Sequence, residues 1–339
     1  MAWRKRGLWL MAGLLIGGSV LWMIAATASE RVIAGWLMAR EAEGWQVTYE
    51  GLETGGYPTR LTTRFEALQL ADPGTGWAWN APELSLTQPV LRPNSVRVVW
   101  PEEQVVASPF TRATITADQF EAHGAIDPFA NLALRDGSLD LAALAVEGPG
   151  GEGVRIATGQ GQLDRVDDDA EGQPRYALRL DLSELDPGPA LRTLLDPVGL
   201  LPERMQGARI EAEMAFDVPW DLDALEMRRP QPRAITLDEA SAEWGEMRFR
   251  SAGSLIIDAE GIPEGQLTIR AENWRNMLDL AENAGQLPPE MRGLVETTLG
   301  FLAGGSGSPE DIDAPLHFRG GQVMLGPFPL GLAPRLVLR

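Results

Sequence analysis

Asp167, Asp169 and Glu171 stand at alternate positions ahead of Gly172 in the stretch DRVDDDAEG (164–172). A calcium loop sets oxygen ligands at such offsets before a glycine that makes its sharp turn, and it closes on a bidentate carboxylate further along. Position 178, where that carboxylate belongs, is Leu178. The stretch therefore reads as a solvated acidic turn. The two histidines, His123 and His317, are far apart in the chain, and neither belongs to an HxH or HExxH pattern. Ser306 sits in a glycine-serine run and not in a Gly-x-Ser-x-Gly elbow between a strand and a helix. The single lysine, Lys5, lies near the N-terminus, so no Walker loop can form, and no glycine-rich dinucleotide fingerprint follows a strand. Without cysteine there is no thiolate nucleophile, disulfide or cysteine metal site. Carboxylates are plentiful enough to work as a glycosidase pair, but no spacing singles out two of them. Neither catalytic residues nor a cofactor or metal is expected.

The chain has 339 residues, of which 44% are hydrophobic, enough to bury a core in one large domain or two ordinary ones. Its net charge of -19 repels phosphate backbones, which argues against nucleic acid as a partner.

Gly7 to Ser29 is a run of 23 residues without a charge, preceded by Arg4, Lys5 and Arg6. About 20 apolar residues in a helix cross a bilayer core. The positive-inside rule then keeps residues 1–6 cytoplasmic and exports everything after the span. A cleaved signal peptide is the other reading, since Ala26-Thr27-Ala28 fits a small-x-small cleavage site. The run is longer than a usual signal core, which favours a retained anchor over 7–29. There is no lipobox cysteine. Over 30–44, Val32, Ile33, Trp36, Leu37 and Arg40 recur at helical spacing up to Gly44. This helical stalk either lies in the membrane interface or packs onto the body.

From Trp45 to the end the dominant period is two, which predicts one β-rich domain over 45–339. Tyr176, Leu178, Leu180 and Leu182 alternate with Ala177, Arg179 and Asp181. Ile210, Ala212, Met214 and Phe216 alternate with Arg209, Glu211 and Glu213. Met247, Phe249, Leu255 and Ile257 share one face, and Leu267 and Ile269 share one face of the next strand. Such alternation marks strands with one face buried, the habit of antiparallel sheets. Gly137, Gly161, Gly253 and Gly265 each open a Gly-polar-Leu pattern, read as a recurring strand start with glycine at a turn or bulge. Helices are predicted near 189–203, 273–284 and 289–303, the second capped by Asn273. The tail after 314 is expected to dock on the body. Trp77, Trp79, Trp100, Trp220, Trp244 and Trp274 are scattered, and core filling is their commoner use.

Three segments resemble a known family. GSLIIDAEGIPEGQLTIRAENWRNMLDLAENAGQLPPE is similar to its core signature, GGQVMLGPFPLGLAPRL to its C-terminal one, with Gly326-Pro327 and Leu330-Gly331, and EGLETGGYPTRLTTRFEALQL to its first strand region. The family is the alphaproteobacterial envelope family known as domain of unknown function 2125. The resemblance implies an envelope setting and brings no activity. The layout is also similar, more distantly, to AsmA-type proteins, which carry one anchor and a periplasmic body of amphipathic strands.

The fold expected is mainly β (α+β): an extended curved antiparallel sheet with a few covering helices, preceded by one N-terminal transmembrane helix. Met247, Phe249, Leu255, Ile257, Leu267 and Ile269 are the residues expected to line an apolar groove. The function expected is that of a non-enzymatic periplasmic protein of envelope biogenesis, held in the inner membrane by its N-terminal helix and binding phospholipid. A scaffold for envelope proteins is the alternative, and an envelope hydrolase a third reading.

Overall fold

The computed structural model describes residues 2–338 except 198, 284, 286, 307–309, 326 and 327. Gly326 and Pro327 of the C-terminal signature, and part of the glycine-serine run, lie outside the described residues. Mostly antiparallel sheet, a few helices and a long N-terminal apolar helix make up the fold. The chain forms two compact units, Met1–Ala125 with Val146–Gly150, and Ile126–Ala145 with Gly151–Arg339.

The first unit begins with helix α1 (Ala2–Ala42). Among the described residues it is the one helix long and apolar enough to cross a membrane. Gly44 follows in the left-handed region at φ 96° and turns the chain out of the helix. Strands β1 (Gln46–Thr48) and β2 (Gly51–Gly55) both pair with β3 (Arg60–Asp72). On its other side β3 pairs with β4 (Trp77–Pro89). Next come β5 (Ser95–Val99) and β6 (Glu103–Ala107), both on β4. β7 (Arg112–Thr116) pairs with β6, and β8 (Gln119–Asp127) with β5. The core of this unit joins Leu37 of α1 to Val47, Phe65, Leu68 and Leu84, with Ile33, Trp45 and Trp79 packed against it. The segment after the apolar run thus packs onto the sheet, the second of the two readings of 30–44.

In the second unit β9 (Ala133–Glu147) pairs with β10 (Gly153–Val166). The meander continues antiparallel through β11 (Arg175–Asp186), β12 (Met205–Phe216), β13 (Pro232–Trp244), β14 (Met247–Ile257), β15 (Pro263–Glu272), β16 (Asp311–Arg319), β17 (Gln322–Leu325) and β18 (Phe328–Leu332). Short α2 (Gly188–Leu195) and α3 (Leu222–Glu226) sit in connections. α4 (Trp274–Asn283) and α5 (Pro289–Ser306) fill the link from β15 to β16. Asn273 precedes α4 with its side-chain amide donating to the Glu246 carbonyl at 2.6 Å. The tail docks as expected. Leu336 N–H donates to the Gly261 carbonyl, and the Gln231 side chain bonds both the N–H and the carbonyl of Leu338.

The repeated glycines are not strand starts. Gly161, Gly253 and Gly265 lie inside β10, β14 and β15, and Gly137 inside β9. Gly253 and Gly265 hold φ of 145° and 140°. A Cβ on Gly253 would meet the Gln266 carbonyl oxygen at 2.3 Å, and one on Gly265 the Ser254 carbonyl oxygen at 2.3 Å. Only glycine adopts that backbone without strain. At Gly253 and Gly265 the glycine marks close approach between paired strands.

Candidate functional site

Among the described residues no group of three or more His, Asp or Glu is placed to hold a metal ion. In the 164–172 stretch Asp169 folds back on its own turn, accepting from Glu171 N–H at 3.0 Å and Gln173 N–H at 2.7 Å. Asp168 pairs with Arg165 at 2.8 Å. This is a local side-chain turn. His123 lies exposed on β8 of the first unit and His317 exposed on β16 of the second. A cleft of about 300 Å³ beside Trp79 has Thr48, Gln69, Asn80 and Arg112 among its lining residues. Trp79 donates its indole N–H to Gln104 at 2.7 Å, and Trp244 and Trp274 are buried in core clusters.

The sheet of the second unit offers something different. Residues directly opposite across antiparallel strands share a face, so the register lays out its apolar side in rows. One row reads Leu163, Leu178, Ala212, Leu237, Gly253, Leu267, Leu316 and Leu325, crossing from β10 to β17. The next reads Gly161, Leu180, Ile210, Ala240, Ser251, Ile269 and Ala314. The opposite face is ionic. Arg179 pairs with Glu211 at 2.8 Å and Arg209 with Asp181 at 3.3 Å. The hydrogen bonds of Arg209 and then of Arg179 hold the Glu211 carboxyl below its ordinary pKa.

Cover on the apolar face is uneven. Trp274, Leu278 and Ala303 from α4 and α5 bury Ala271, Ile312 and Ala314. Leu280 and the half-buried Met277 pack with Trp244 and Met247. Arg292 of α5 bridges Asp279 and Glu282 of α4, which raises its pKa above the usual arginine value, and clamps the two helices. At β10–β13 the side chains of Leu163, Leu178, Leu180, Leu182 and Leu237 are half-buried, and Ile210 is 36% exposed. They lie outside the buried clusters. Next to this stretch stands an aromatic wall. Tyr176, fully buried, meets Phe216 at 5.9 Å between ring centres, and Phe216 meets Trp220 at 5.7 Å. The Tyr176 hydroxyl accepts from Trp220 N–H at 3.1 Å.

Of the six residues expected to line a groove, Met247, Leu255 and Ile257 are buried, while Phe249, Leu267 and Ile269 are half-buried. All sit on the same face. Sequence reasoning recognised Leu178, Leu180, Leu182 and Ile210 as a face but gave them no role. The signal available was the run of small partners, Gly159, Gly161, Ala208, Ala212 and Ala240; at Gly159 and Gly161 the neighbouring leucines Leu139, Leu141 and Leu182 already close over the glycine. It also passed over Ser251, whose buried hydroxyl has no hydrogen-bond partner among the described residues.

No curated protein and no solved structure matches the chain. Residues 22–334 match the model of the family described as an uncharacterized protein conserved in bacteria, domain of unknown function 2125, and the chain belongs to that family.

Proposed function

We propose that the protein is a non-enzymatic, membrane-anchored component of the bacterial cell envelope that holds the acyl part of a phospholipid against the β10–β13 face. The long apolar α1 supports anchoring. Arg4, Lys5 and Arg6 ahead of the uncharged run favour a cytoplasmic N-terminus, with both β units in the periplasm. One anchor followed by amphipathic strands is also the AsmA-type layout.

The observation that carries the lipid reading is the cross-strand register. It gathers Leu163, Leu178, Leu180, Ile210 and Leu237 on one partly open apolar face. Each methylene withdrawn from water there is worth about 0.8 kcal/mol.

Photo-crosslinking tests this. Full-length protein is reconstituted with a phospholipid carrying a diazirine in its acyl chain, and adducts are mapped by mass spectrometry. Adducts within 156–182 and 205–242 are expected, and Leu180→Asp should abolish them with the circular dichroism spectrum unchanged. Adducts confined to α1 in a folded protein would sink the lipid reading and leave a protein partner as the occupant of the face.

A further inference from the structure

Helix α1 is two-sided in a way a free anchor is not. One side is spent on the first unit's sheet from Ser19 onward. The Ser19 and Tyr57 hydroxyls are hydrogen-bonded at 2.6 Å. Trp22 donates its indole N–H to the Arg60 carbonyl at 2.9 Å and meets the Tyr57 ring edge-on at 5.5 Å. Ala26 is buried, Glu30 accepts from Thr54 N–H at 2.9 Å, and Leu37 is in the core. Positions 19, 22, 26, 30, 33 and 37 follow the 3–4 spacing of one helix face. The turn they dock on is fixed by Gly56 at φ 95°, where a Cβ would come to 2.9 Å from the Arg60 carbonyl oxygen.

The other side of the same helix is apolar and uncovered. Leu21, Ile24 and Met38 are each more than 60% exposed, Val32 is 72% exposed and Trp36 44%. Arg31 is the one charged residue among positions 16–38 outside the docked face. A helix that packs one face on a domain and meets water with the other carries polar residues outward, and this one does not. An apolar surface of that length marks a contact. It also runs without interruption into the uncharged 7–29 segment. The span and the docked helix overlap, so the β2–β3 turn cannot stand away from the membrane while residues 19–29 are within it.

We propose that the first unit is seated directly on the phospholipid bilayer: α1 leaves the membrane obliquely, its outward face from Leu21 to Met38 passing from the upper acyl layer out through the headgroups, with the turn carrying Tyr57 held among them by its contacts to Ser19 and Trp22. Trp22 and the half-exposed Tyr57, which meet ring to ring, then sit at the inner edge of the zone that interfacial aromatic side chains favour and Trp36 at its outer edge, and Arg60, beside the Tyr57 turn, faces lipid phosphates. The inference rests on α1 entering a bilayer and is independent of lipid binding at β10–β13.

The chain has no native cysteine, so single-cysteine variants report cleanly. Val32→Cys, Trp36→Cys and Tyr57→Cys, with Glu171→Cys in the acidic turn as reference, are each labelled with an environment-sensitive fluorophore. The full-length protein is placed in phosphatidylethanolamine–phosphatidylglycerol vesicles containing lipids nitroxide-labelled near the headgroup. The expected result is a blue shift and at least two-fold quenching at positions 32, 36 and 57, with neither at 171. Protein that resists carbonate extraction while all four labels behave alike would overturn the seating and leave the anchor standing. Protein washed off by carbonate would overturn both. Val32 and Trp36 point away from the sheet, so these variants should melt like the parent, and Tyr57→Cys is checked against them.

Discussion

Strands β10–β13 and β14–β16 carry the same alternation in one meander, yet their apolar faces end differently. Met247, Ala271 and Ile312 are buried under α4 and α5, whereas Leu180 and Leu237 are half-buried and Ile210 more open still. The cause is local connectivity. β15 ends at Glu272 and α4 begins at Trp274, so the chain turns its own helix back onto the strands it has just made. The links from β10 to β13 hold acidic and proline-rich turns and the short α2 and α3, too little to cover four strands. Alternation says that a face is apolar. What covers it depends on the sequence between strands.

The largest test of this contrast compares Trp274→Ala with Leu180→Ala. Trp274 is buried at 2% exposure in the covered half, and its loss should cost about 3–5 kcal/mol. Leu180 is already half-open, and truncating it should cost about 1 kcal/mol or less. Urea unfolding midpoints read both. Equal losses would mean that the two halves are packed alike and that the open face is filled.

A middle-sized effect is expected at the seam between the halves. Gly253 stands between Leu237 and Leu267 in the long row. Gly253→Ala places a methyl 2.3 Å from the Gln266 carbonyl at a φ that L-residues avoid. Backbone strain of this kind costs about 1–3 kcal/mol. Hydrogen exchange should show β14 and β15 losing protection before β11 and β12. Uniform loss would show that the seam does not divide the sheet.

Much of this was legible in the chain. Period-two runs such as Tyr176–Leu182 and Met247–Ile257 predict the strands because a pleated backbone sends alternate side chains to opposite faces. Asn273 and the paired prolines Pro288 and Pro289 bracket the two helices. The glycine pattern was visible, but its meaning was not, since φ near 145° comes from the approach of the paired strand, which no local rule encodes. The uneven cover was hidden for a similar reason. It depends on where α4 and α5 land, a long-range matter, and not on the leucines beneath. Ser251 looked like any polar residue of a strand until the register put its hydroxyl on the apolar side.

The smallest effect comes from the ionic face behind the open half. Glu211 is held below its ordinary pKa, first by Arg209 and then by Arg179. A carboxyl lowered on folding adds stability above its unfolded pKa, about 4.3, and that contribution is lost as pH falls through the lower folded value. Glu211→Gln should therefore flatten the acid limb of the stability curve below about pH 4.3. Salt should shrink the difference between parent and variant, because exposed pairs are screened. Thermal melts across that range at two salt concentrations read both. Glu211 is in register with Arg179, on the face opposite the Leu180–Ile210 pair. The substitution should thus leave diazirine adducts at 156–182 unchanged, whereas Leu180→Asp removes them. If Glu211→Gln removed them too, the two faces of β11–β12 would not be acting as separate surfaces, and the lipid reading would lose the geometry on which it stands.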